Sequence, residues 1–140
     1  MHDCQNIRLR IVSRMRDAAG NCEEIRHART GTLREEADGT LLLAYDDEQD
    51  GERAQISLSA TPRHARMERR GMTRATLCFE PGARTSSVYS TLYGEIPVQI
   101  DTRNVNLTRQ ANGGELALDY DVYMGGEFTT QTRLCVTWRL

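Results

Sequence analysis

The sequence predicts a single all-β domain, closed as an antiparallel barrel. Three observations predict it. Apolar residues recur at every second position in almost every segment, the segments are joined by turn signals of hairpin size, and no stretch carries a sustained helical stripe. Consecutive hairpin connections give an up-and-down meander, and a meander of this many strands loses its edges only by closing. A chain of 140 residues suits one core, and no linker or composition shift divides it, so 1–140 is read as one domain.

The C-terminal half is the clearest. Phe128, Thr130, Thr132, Leu134, Val136, Trp138 and Leu140 alternate with Thr129, Gln131, Arg133, Cys135, Thr137 and Arg139, which reads as one long strand with one inward face. Leu116, Leu118, Tyr120, Val122 and Met124 form the preceding strand, joined to it by a Gly125-Gly126 turn. Ile96, Val98 and Ile100 mark a further strand, but Val105 and Leu107 continue it on odd positions, so a bulge is predicted between Asp101 and Asn104. Ala75, Leu77 and Phe79 end at the Pro81-Gly82 turn, and Val88, Ser90 and Leu92 follow as an inward set.

In the N-terminal half, Ile7, Leu9 and Ile11 face one way and Arg8, Arg10, Arg14 and Arg16 the other. Glu24 to Glu36 reads as a long polar strand with a bend or bulge at Gly31. The segment Leu41 to Tyr45 and the row Ala54, Ile56, Leu58, Ala60 flank a turn at Asp50-Gly51, and a short strand lies at Ala65 to Arg69.

Composition narrows the function classes. A net charge of −2 argues against a polyanion partner, so no nucleic acid is expected. The outward arginines of the first strand have no aromatic residues among them to stack bases, which leaves them as a solvated face paired with glutamates. All 18 basic residues are arginine, which removes Schiff-base and P-loop lysine chemistry. Cys4, Cys22, Cys78 and Cys135 form no CxxC pair and fit no zinc spacing, and no signal-like or membrane-spanning apolar run is present. Free thiols, a cytoplasmic location and no membrane partner are therefore expected.

From Leu41 to Leu140 the chain resembles the YwiB-like family of small bacterial proteins. The resemblance is carried by ERRGMTRATLCFEPG (68–82), SVYSTLYGEIPVQI (87–100) and NGGELALDYDVYMGGEF (112–128), and more loosely by RTGTL (29–33). It implies a lipocalin-like (calycin-like) closed barrel and carries over no activity. The absence of lysine departs from the family's habit.

No catalytic or metal constellation survives inspection. Asp46, Asp50 and Gly51 fall at calcium-loop positions, but Ser57 stands where a bidentate glutamate is needed. His2, His27 and His64 lie in no ligand spacing, and Asp119 and Asp121 are expected to face water opposite Leu118, Tyr120 and Val122. His27 is mid-strand and is a proton carrier or, more commonly, a hydrogen-bonded interior histidine. No cofactor is implied.

The candidate site is the lumen. Val88, Ser90, Phe128, Thr130, Thr132 and Trp138 are its predicted lining residues, hydroxyls set among apolar walls as in small-molecule sites. Two readings stay open. One is a binding module holding a small, partly apolar molecule. The other is a structural or interaction protein with a filled barrel, docking through an exposed strand face as a homodimer. An enzyme ranks last.

Overall fold

The computed structural model describes residues 4–49 and 51–140, and these form strands and turns with no helix. The ten strands are β1 (Gln5–Asp17), β2 (Cys22–Glu35), β3 (Leu41–Gln49), β4 (Glu52–Ala60), β5 (Ala65–Gly71), β6 (Arg74–Phe79), β7 (Arg84–Thr91), β8 (Gly94–Gln110), β9 (Gly113–Met124) and β10 (Glu127–Arg139). Each pairs antiparallel with its sequence neighbours, and β1 pairs with β10, from Arg8↔Arg139 to Asp17↔Thr130, so the barrel is closed. Asp50, predicted in the β3–β4 turn, and His2 lie outside the described residues.

In such a meander the connections alternate between two ends. The β1–β2, β3–β4, β5–β6, β7–β8 and β9–β10 hairpins share the upper end, and the other connections share the lower one. The lower half is sealed by apolar side chains. Leu9, Leu43, Leu58, Phe79, Leu116, Leu118 and Val136 are at most 1% exposed and belong to one cluster. Each such side chain contributes roughly 1.5–3 kcal/mol relative to leaving it in water. Trp138, 2% exposed, joins this floor. Its ring lies over Gly114, where an added Cβ would come within 2.4 Å of Trp138 Cζ2, so glycine is required for the indole to fit.

The expected bulge in β8 is present, with the register shifting between Thr102 and Asn104. At Gly31 the expectation fails. β2 runs through it without a shift, paired to Ile7 on one side and Tyr45 on the other. The glycine is there for space, because a Cβ would overlap Ala44 O at 2.2 Å and crowd Leu9 Cδ1 at 2.9 Å.

Two predicted inward sets need correction. In β10 the register shifts between Phe128 and Thr130, so the unpaired residue, Thr129, reverses the parity of everything before it. Phe128 pairs with Tyr123 on the outer face, is 37% exposed and stacks edge-on against that ring at 5.7 Å. In β7 the inward face is the odd one, so Val88 points outward at 43% exposure and Ser90 shares that outer parity. The reason lies at the seam with β6, where Arg74↔Ser90 is the single bridge. There Thr85 Oγ1 donates to Cys78 O at 2.6 Å and Ser87 Oγ donates to Thr76 O. Inward hydroxyls stand in for missing backbone bonds, since a buried carbonyl without a donor is costly.

Candidate ligand site in the upper lumen

Above the apolar floor the inward side chains change character. Met15 of β1, Ile25, His27 and Arg29 of β2, Tyr45 and Asp47 of β3, Met67 and Arg69 of β5, and Tyr89 of β7 share the inward parity. All are half-buried except Asp47, which is 7% exposed. The β2–β3 ladder ends at Gly31↔Tyr45, and the next inward pair upward, Arg29 and Asp47, is joined through side chains instead. Arg29 donates to Asp47 Oδ1 from Nε at 3.2 Å and from Nη2 at 2.9 Å. Its Nη1 donates to Ala28 O at 2.9 Å, and Nη2 lies 3.2 Å from His27 Nδ1. Because a guanidinium only donates, His27 Nδ1 is the accepting atom of this contact.

Arg69 approaches the same carboxylate from the other side, with Nη1 3.8 Å from Asp47 Oδ2. Its Nε donates to Thr73 Oγ1 at 3.1 Å, and Tyr89 OH is 3.2 Å from that hydroxyl. Tyr45 sits just below. Burial, and secondarily the Asp47 charge, push its phenol up to about 12, so it stays protonated at neutral pH. A groove of about 880 Å³ lies against the β3–β4 hairpin at this end, lined by Arg29, Asp47 and Ala54 from the inward parity and by Asp46, Glu48, Arg53, Gln55 and Arg70 from the outer one.

The predicted lining residues are therefore divided. Thr130 and Thr132 are inward and bonded to each other, Oγ1 to Oγ1 at 3.1 Å, and Thr132 is buried. Trp138 is in the floor, while Val88, Ser90 and Phe128 are on the outer parity. Sequence reasoning did not select Arg29, Tyr45, Asp47, Arg69 or Tyr89. One signal was available: Arg29 and Arg69 share the parity of apolar residues in their own strands, Leu33 and Met67.

The profile of a domain of unknown function (DUF1934) matches residues 9–136. The chain belongs to this family. The crystal structure of the ywiB protein from Bacillus subtilis superimposes with a TM-score of 0.87 at 21% identity, covering 97% of this chain and 92% of that one. The likeness shows the lipocalin-like barrel fold. No curated protein matches the chain.

Two further polar features of this DUF1934 barrel lie beside the threonine pair. Thr102 Oγ1 is buried with no hydrogen-bond partner among the described residues, and Thr102 pairs across β8–β9 with Tyr120. Tyr120 packs on Phe79 with ring centroids 4.8 Å apart, and burial raises its phenol to about 12. Outside the barrel, Arg84 grips Asp101 with two bonds of 2.6 and 2.7 Å and lies 4.6 Å over the Tyr123 ring. Asp119 and Asp121 face outward toward Arg133 and Arg103. All four cysteines are free.

Proposed function

We propose that this barrel binds a small, partly apolar molecule in the upper part of its lumen. The observation that supports the reading is the gradient along the interior. Below is a sealed apolar floor, and above it stand inward side chains of mixed polarity that remain reachable from the rim. Small-molecule sites have that composition, apolar walls with a few placed polar groups. Free thiols fit a cytoplasmic setting for this role.

Methionine-methyl NMR tests it directly. Met15, Met67 and Met124 belong to the inward parity, whereas Met72 is 51% exposed at the β5–β6 tip. Titration with short-chain amphiphiles should shift the first three saturably and leave Met72 in place. Shifts confined to Met72, or none at all, would overturn the reading.

A second reading is a homodimer formed through exposed apolar residues. It is favoured by Met72, Leu92 and Tyr93, 51%, 70% and 99% exposed on two hairpin tips at the same end. Sedimentation of the wild type against Leu92→Ser/Tyr93→Ser decides it, since only a dimer held by those tips would dissociate.

A further inference from the structure

We propose that the ligand carries an oxyanion head, a carboxylate or a phosphate, held between Arg29 and Arg69; this rests on the lumen-binding reading above. The first argument is a charge count. The side chains of Arg29 and Arg69 are only 23% and 22% exposed, and both converge on one carboxylate, Asp47, whose side chain is 9% exposed. A guanidinium does not lose its proton, so burial cannot neutralise it, and each buried charge needs a counter-charge. His27, 3.2 Å from Arg29 Nη2 through Nδ1, has no negative charge to supply. Other acids of the inward parity, Asp17, Glu23, Glu52 and Glu127, stand at the rim. Of these Asp17 is engaged by the backbone N–H groups of Ala19 and Asn21. Among the described residues, the two inward guanidinium groups thus share a single well-buried carboxylate.

The second argument is geometric. Asp47 is committed to Arg29 through two bonds to Oδ1, whereas the 3.8 Å separation from Arg69 Nη1 is too long for a hydrogen bond. Arg69 Nε is fixed by Thr73, which locks the plane of the guanidinium, and among the described residues Nη2 has no acceptor. The Nη1–Nη2 edge of an oriented guanidinium matches two oxygens of a carboxylate or phosphate. Tyr45 adds a protonated phenol nearby, and Met67 and Tyr89, packed against the core, offer the apolar surface for a short tail.

The test titrates the full chain with hexanoate, hexyl phosphate, hexanol and inorganic phosphate, read by the methionine methyls and by the Arg29 and Arg69 Nε–H signals. At least one of the two anionic amphiphiles should bind ten-fold or more tighter than hexanol, and which one leads separates a carboxylate from a phosphate source. Arg69→Gln should remove that advantage while leaving hexanol binding unchanged. Asp47→Asn should strengthen anion binding by removing the internal competitor. If Arg69→Gln fails to fold, Arg69→Lys serves in its place, keeping the charge but losing the fork, with an expected loss of several-fold. Hexanol binding as tightly as both anions would overturn the head-group assignment and leave the lumen reading standing. No shift of an inward methyl with any of the probes would overturn both.

Discussion

Replacing Phe128 and Trp138 by alanine, one at a time, tests how the final strand is built. Both occupy even positions of β10, and in an unbroken strand both would face the interior. The register shift at Thr129 separates them. Trp138 is 2% exposed in the floor, so its loss leaves a large cavity and should cost roughly 3–5 kcal/mol. At roughly 2–4 °C per kcal/mol for a domain near this size, the midpoint should fall by about 6–20 °C. Phe128 is 37% exposed and its contact is the edge-on stack with Tyr123, so its loss should cost about 1 kcal/mol and a few degrees. Differential scanning calorimetry at neutral pH measures both. A Phe128→Ala penalty equal to that of Trp138→Ala would refute the bulge and return Phe128 to the lumen.

Gly114→Ala should destabilise by roughly 1–3 kcal/mol or more, since the new Cβ meets Trp138 Cζ2 at 2.4 Å and Thr108 O at 2.6 Å; urea unfolding measures it. Thr85→Val together with Ser87→Ala should cost about 2–3 kcal/mol and speed amide exchange in β6 and β7, because the carbonyls of Cys78 and Thr76 lose their donors. Tyr120 is raised to about 12 by burial, so the unfolded chain ionises first. Its contribution is complete below the unfolded value near 10 and is lost as pH rises toward 12, about 2–3 kcal/mol in all. Tyr120→Phe should therefore decline less than wild type between about pH 9 and about pH 11 in urea melts, and parallel declines would contradict this. Thiol titration of unreduced, unfolded protein should find four groups, matching Cys4, Cys22, Cys78 and Cys135.

Most of the fold was legible because apolar residues report strand parity. The β8 bulge could be placed because Val98 and Ile100 lie before it and Val105 and Leu107 after it, so the change of parity shows. The β10 bulge could not, because Phe128 is followed by Thr129 and Thr130, which fit either face. In β7 the rule itself inverted. Hydroxyls are needed inside to serve the β6 carbonyls, which leaves Val88 facing water. The arginine pair was hidden for a different reason. It is assembled from β2, β3 and β5, and in a chain whose every basic residue is arginine the two that turn inward carry no compositional mark.

The sparse seam between β6 and β7 has a topological consequence. Every other neighbouring pair is held by a ladder of successive residues, whereas this one has a single bridge and two side-chain stitches. Meanwhile the start of β1 lies beside the end of β10, where Arg8 faces Arg139. A chain relinked across that corner and cut between Glu80 and Pro81 would run β7 to β10, then β1 to β6, as one uninterrupted meander. Every long ladder would be kept, and the new ends would fall where the sheet is least sewn together. The ring of strands thus has two junctions whose order in the chain is interchangeable, and its closure depends more on the β1–β10 pairing than on the loop at Pro81.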